Sequence, residues 1–473
     1  MKMLQKMFRK KQIGHHYESN LHRTLSAFDL TLMGIGAIIG AGVFVLTGVA
    51  AATKAGPAVI LSFSIAGLAA MFAALAYAEL ASSVGGSGSA YSYSYAGFGE
   101  FIGWLVGWNL ILEYAMSVST VAIGWSGYVT NLFEAVNIHL PQALTRGPFD
   151  GGMVNLLAIV VILSLSGLLC LGVRQSAKFN AVVVYIKLIT IAAFILVASA
   201  NVNPQNWTPF LPFGWSGVME GAALVFFAYI GFDALSTAVE ETVNPQRDVP
   251  IAIIGSLIGC TAIYIIVAAL LTGIVSYTTL DVGSPVAEAL LNIGHRMMAG
   301  VVAAGAIAGL TTVMLVMSYG LTRICLVIAR DGLIPQSFAK INPRTHTPIR
   351  AIMISGVIMA LVSGFAPIGR AAELVNIGTL TAFAFVCVGV IALRITHPEM
   401  PRPFKLPFNP IIPLLGVGFC VYLMTQLSDV TWWRFFIWTI LGIGIYFAYS
   451  HKNSLLNKPG AMGKLNTIPQ EQE

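Results

Sequence analysis

The sequence predicts an all-α polytopic membrane protein of twelve transmembrane helices. They form a five-plus-five inverted repeat with helices one and six broken, plus two C-terminal helices. Three observations carry this. First, 57% of the residues are hydrophobic and 10% are charged, where a soluble domain has about 25% charged residues. Second, apolar runs of bilayer-spanning length recur along nearly the whole chain and leave no room for a separate soluble domain. Third, two of those runs, five apart, are interrupted where a plain helix would be safer in lipid.

Residues 1–29 are basic and have no apolar core ahead of the first span, so they read as a cytoplasmic tail and not a cleaved signal. Span one covers 30–53 and holds Gly34, Gly36, Gly40 and Gly42. Gly36 and Gly40 have the small-xxx-small spacing of close helix packing. The alternative is an unwound segment whose free N–H and C=O groups bind a ligand at mid-membrane. Span two covers 57–82, and span three is unusually long, at 99–132. Spans four and five cover 153–172 and 179–200. Span six, 216–239, contains Phe226-Phe227-Ala228-Tyr229-Ile230-Gly231-Phe232-Asp233, a second interruption. Span seven is 250–275, and span eight is again long, at 297–329. Spans nine to twelve fall at 350–366, 371–394, 409–427 and 431–450.

Lys and Arg placement sets the orientation. With the N-terminus inside, the inner segments hold most of them, from Lys2, Lys6, Lys10 and Lys11 through Arg174, Arg247, Arg323 and Arg330 to Lys452. The outer segments hold Lys54, Arg146, Arg296, Arg370 and Arg434. This asymmetry, rather than an anionic partner such as nucleic acid, accounts for the formal charge of +6. Spans one and six are both broken, and spans three and eight are both long. That divides the chain into a first repeat (30–200) and a second (201–396), followed by spans eleven and twelve (397–450) and a cytoplasmic tail (451–473). Each half has an odd number of spans, so the second half starts on the opposite side and the repeat is inverted.

Four stretches carry a family resemblance: AFDLTLMGIG running into GIGAIIGAGVF, FFAYIGFDALSTAVEETVNPQRDVP, and ARDGLIP after span eight. The chain resembles transporters of the amino acid–polyamine–organocation (APC) superfamily, in the bacterial cationic amino acid transporter-like branch, from about Arg23 to Ser450. The resemblance implies the inverted-repeat fold and proton-coupled import of L-amino acids across the plasma membrane. Sodium coupling or exchange is the alternative within transport.

An amino acid zwitterion needs an anion site and a cation site close together. On the family motif, Ala41 and Gly42 look like the carboxylate-binding amides, at the start of the second half of span one. Carbonyls near Ile38, and those of Phe227 and Ile230 at the second break, suit the ammonium. Phe227 or Phe232 is the expected gate. Ser318, at mid-depth in span eight, is expected to border the substrate side chain and admit longer or cationic ones.

Ionisable residues inside spans are costly and point to function. Lys187 lies midway along span five, where the resemblance places it in the sodium position of related carriers. It is expected to bridge span five to span one and to carry the coupled proton. A second cation there would be repelled, which argues against sodium. Glu113 in span three is the second proton-coupling candidate; Asp233 caps the second half of span six, and Glu79 is expected at the interface. Glu240 and Glu241 need a partner such as Arg247 or Arg330 at an inner gate.

The five cysteines have no metal spacing, and the eight histidines lie in tails, loops or span ends. No cofactor or metal site is expected, and a membrane enzyme is the distant alternative. Expected partners are an amino acid, a proton and membrane lipid, with a small accessory membrane subunit left open.

Overall fold

The computed structural model describes residues 7–10, 23–135, 138–282, 284–365, 368–427 and 429–457. The tail residues Lys2, Lys6 and Lys11 and the segment 458–473 lie outside the described residues. The fold is all-α; apart from a single bridge between Leu25 and Thr242, the regular elements among the described residues are helical. Among the described residues, eight helical stretches are long and apolar enough to cross a membrane, and Leu156–Cys170, Ile349–Phe365 and Ile411–Thr425 are shorter apolar helices. The protein is therefore a polytopic membrane protein.

The first stretch, Ala27–Ser83, has 57 residues. A straight helix of that length would run about 85 Å, against a core of about 30 Å, so it must fold back. It breaks after Ala27–Ile38, a helix started by a capping box between Ser26 and Asp29. Ile39 is extended (φ −76°, ψ 100°) and ends it. The chain then re-enters helix through a wide-turn segment, Gly42–Leu46, and reverses at Gly56 (φ 61°) before Val59–Ser83.

Span six repeats the device with different residues. Gly214–Val225 passes into the tight turns of Phe226–Tyr229, then Ile230 is extended and Gly231 adopts φ 123°. Only glycine takes that conformation freely, and a Cβ there would lie 2.9 Å from the Ala37 carbonyl. The chain resumes in the tight turns of Phe232–Glu241.

Spans one and six lie side by side and run in opposite directions. Leu25 pairs with Thr242, Ala37 meets Gly231, Gly42 meets Ala228 and Lys54 meets Glu220. Spans three and eight, Glu100–Ala135 and Arg296–Arg330, are also antiparallel. Gly107 lies against Ile328, Gly320 against Tyr114, and Trp125 donates to Thr311 at 3.0 Å. The small residues let these helices approach closely. Gly34 and Gly36 do the same for span one, against Ser256 of span seven and Asn180 of span five.

Spans eleven and twelve pack on the outside. Gly416 abuts Cys387 of span ten, and Trp438 stacks on Trp108 of span three at 4.3 Å. Trp433, Ile437 and Ile440 of span twelve point outward, 65–70% exposed, as a lipid-facing surface requires.

Glu79, near the end of span two, is not exposed as an interfacial carboxylate usually is: it is 1% exposed. The loop after span ten folds back over the end of span two. It brings the Leu406 amide to 2.7 Å from the carboxylate and Arg402 to 3.5 Å, while Arg394, in the last turn of span ten, places its guanidinium at 2.5 and 2.8 Å. Hydrogen-bonded partners are what make burial of such a charge tolerable.

Candidate functional site

The site forms where the two breaks meet. The half-helix that restarts at Ala41 cannot satisfy its first amides internally, because they lack a preceding turn to accept from them. These are the amides of Ala41, Gly42 and Val43. A Cβ on Gly42 would overlap Ala228 of the facing break, so glycine is required for the approach. The first amides and the helix dipole make this end attractive to a carboxylate.

A cavity of about 20 Å³ lies between the breaks, close to the ~10–15 Å³ that one water needs. Span one lines it with Ala37, Ile38, Gly40, Ala41 and Gly42. Span six adds Phe227, Ala228 and Ile230. The remaining wall is Ser117 and Val121 of span three with Val313 and Met317 of span eight. So Ile38, Ala41, Gly42, Phe227 and Ile230 are brought together around one small cavity.

Two expected residues are not at this cavity. Ser318 is buried but does not line it; Met317 and Val313 do. Those two are four apart and share a helix face, while Ser318 is turned by about 100° from Met317. Phe232 is fully buried against Tyr77 and Phe383, at ring distances of 5.7 and 4.9 Å. Of the two gate candidates, Phe227 alone faces the cavity.

The carbonyls are more engaged than a simple break implies. Phe227 O accepts the Ile230 amide at 3.2 Å. Ile38 O accepts the Tyr264 hydroxyl at 2.6 Å, and the same hydroxyl lies 2.9 Å from Ala228 O. Tyr264, in span seven, thus ties one break to the other. It was not singled out from the sequence, where it is one polar tip within the apolar run 251–275.

Lys187 reaches span one as expected. Its Nζ lies 3.0 Å from Ile35 O, 3.1 Å from Gly36 O and 2.9 Å from Ile39 O. Thr312 of span eight completes the shell, its Oγ1 accepting from Nζ at 3.0 Å while donating towards Gly36 O at 2.9 Å. Lys187 is fully buried. Thr312, the other residue missed from sequence, thereby links spans one, five and eight.

Glu113 lies one helical turn from the cavity residue Ser117. Thr379 of span ten donates to its Oε1 at 2.6 Å, and its Oε2 has no partner. Asp233 accepts the Gly231 amide at 3.2 Å and the Tyr114 hydroxyl, as a cap for the restarted span six should. At the far end of span six, Glu240 pairs with Arg330 and Glu241 with Arg323, each at 2.7 Å. Arg330 is one of the two partners expected, whereas Arg247 lines an open vestibule nearby.

Comparison with known proteins gives a consistent picture. The sequence profile of the amino acid permease family matches residues 25–446. The chain is 48% identical to the methylthioribose transporter of Bacillus subtilis (strain 168), over 96% of this chain and 99% of that one. It is 47% identical to the branched-chain amino acid permease BcaP of the same organism, with the same coverage. Human cationic amino acid transporter 4 is 30% identical, over 93% of this chain and 89% of its own.

Proposed function

The chain belongs to the amino acid permease family, and from that premise we propose that it imports a neutral L-amino acid with an aliphatic side chain together with a proton. Its named relatives are permeases and transporters, so the membrane-enzyme reading falls away. The observation that carries the proposal is the pairing of the two breaks around one small cavity. The amides at Ala41 and Gly42 would take the substrate carboxylate. The carbonyls of Ile38 and Ile230 would take the ammonium. Val121, Val313, Met317 and Phe227 form an apolar wall for the side chain, which favours aliphatic over cationic substrates.

Methylthioribose, named for one relative, has no carboxylate for those amides. Branched-chain amino acids, named for another, have a carboxylate for those amides and an apolar side chain for the wall.

In this reading the fold is an inverted repeat, supported by the antiparallel contacts of spans one with six and three with eight. The Glu240–Arg330 and Glu241–Arg323 pairs close an inner gate beneath the cavity. Lys187 carries the coupled proton, Glu113 assists, and the termini face the cytoplasm from the plasma membrane.

The test uses purified protein in liposomes with an alkaline interior and no sodium. Labelled leucine, isoleucine, valine and alanine should accumulate, while arginine and methylthioribose should neither accumulate nor compete. Uptake that ignores the pH gradient would overturn proton coupling. Preference for arginine or methylthioribose would overturn the substrate assignment.

Tyr264→Phe supplies a narrower check. It removes the one hydroxyl shared by the Ile38 and Ala228 carbonyls, and one net hydrogen bond is worth about 1 kcal/mol. Substrate Kd should rise about fivefold, read by thermal stabilisation against ligand concentration. An unchanged Kd would mean that Tyr264 does not order the ammonium site.

A further inference from the structure

Near the cavity, buried polar atoms without hydrogen-bond partners among the described residues form a series that packing alone does not explain. They are Ser117 Oγ, Glu113 Oε2, Asn109 Oδ1, Tyr77 Oη, Tyr93 Oη and Ser89 Oγ. All six residues are at least 94% buried. Leaving such atoms unpaired is costly, so a native protein keeps them for a reason or fills the space with water.

Their order in space is informative. Ser117 lines the cavity, and Glu113 follows it one turn along span three. Tyr114, the residue after Glu113, donates its hydroxyl to Asp233 of span six, and the Tyr77 ring of span two lies 5.7 Å from that of Phe232, the residue before Asp233. The Tyr77 and Tyr93 rings are 6.0 Å apart, and Ser89 stands beside Tyr77. Two residues before Ser89, Ser87 exchanges hydrogen bonds with Glu240, at 3.2 and 3.3 Å. Next to that segment is a vestibule of about 600 Å³, lined by Ser82, Ser83, Gly85 and Val239, with Arg23 and Arg247. The series therefore runs from the cavity to open space. Lys187 is not on it, since its partners are spans one and eight; the series serves the proton held by Glu113, the second coupling group.

We propose that Tyr77, Tyr93 and Ser89, bridged by buried water, are a proton relay between the Glu113–Asp233 pair and the vestibule. At each hop one O–H bond breaks and one forms. A carboxyl proton passes to a neighbouring oxygen, whose own proton moves on, and the net result is one proton released to vestibule water. The groups facing the acid pair suit this. Span three offers Tyr114, span two Tyr77 and span ten the neutral Thr379. Arg323, the nearby span-eight cation, is taken up by Glu241 and Tyr319.

This relay rests on the proton-coupled reading above, so its test separates the two. Full-length protein is reconstituted in liposomes containing a pH-sensitive dye, and leucine is added outside. Proton entry and labelled-for-unlabelled leucine exchange at equal pH are measured on the same vesicles. Tyr77→Phe and Tyr93→Phe keep the rings and remove only the hydroxyls. Each should cut leucine-driven proton entry about tenfold and leave exchange, which moves no net proton, within about twofold. Unchanged proton entry in both variants, with normal entry in the parent protein, overturns the relay alone. An equal fall in entry and exchange also overturns it, because the hydroxyls are then structural. No proton entry in the parent protein overturns the symport reading, and the relay with it.

Discussion

Replacing Lys187 by methionine should abolish gradient-driven uptake, lowering it by about 100-fold or more, the range in which loss of a proton-transferring group falls. Four oxygens converge on its ammonium: Ile35 O, Gly36 O, Ile39 O and Thr312 Oγ1, between 2.9 and 3.1 Å. A protonated amine has three N–H donors, and a neutral one has two and a lone pair. Losing the proton must therefore loosen the hold on the carbonyl end of the first half of span one. That end adjoins Ala41 and Gly42, so in the proposed cycle proton release and ligand release would share the same backbone.

The fold should survive the change. Ile35 O still accepts the Ile39 amide at 3.1 Å, and Gly36 O still accepts from Thr312. Ile39 O is the carbonyl left bare, a loss of about 1–3 kcal/mol. Lys187→Arg sharpens the test. Arginine keeps its charge at any physiological pH, so it should retain the tie yet fail to cycle. Uptake in Lys187→Arg that follows the pH gradient would mean that the charge, and not its loss, is what the site requires.

The breaks were legible in the sequence because they violate local rules. Four glycines in a membrane-spanning helix, and a Gly-Phe-Asp step after two phenylalanines, have no purpose in a plain span. Lys187 was legible for the same reason, as a charge where charges are expensive. What stayed hidden depends on rotation and on partners far along the chain. Tyr264 and Thr312 are single hydroxyls in apolar runs, and their importance exists only once spans one, six, seven and eight are side by side. Ser318 missed the cavity by one residue of helix rotation, about 100°. Phe232 sits just past Gly231, whose φ of 123° turns the chain there, and its ring packs against Tyr77 and Phe383 instead of facing the cavity. Glu79 ends its span as an interfacial residue would, but a loop more than 300 residues later, with Arg394 and Leu406 around it, closes over it.

The Glu241–Arg323 pair supports the second large effect. Both side chains are 1% exposed, and they meet at 2.7 Å. Tyr319 donates its hydroxyl to Glu241, and the guanidinium lies 4.6 Å from the Tyr319 ring centroid. Arg323→Ala should lower the unfolding free energy by about 3–5 kcal/mol, because it strands a buried carboxylate. Adding Glu241→Gln to Arg323→Met should recover most of that loss, since the amide oxygen still accepts from Tyr319 and no charge remains unpaired. Denaturant unfolding in detergent measures both. Transport separates a latch from mere packing. If the pair is only packing, the double variant should recover stability and uptake together. If it holds the inner gate shut, stability should return while gradient-driven accumulation stays low, because a cavity that no longer closes on the inner side cannot be loaded from the outer side alone. The gate reading requires that split, and recovery of both properties would end it.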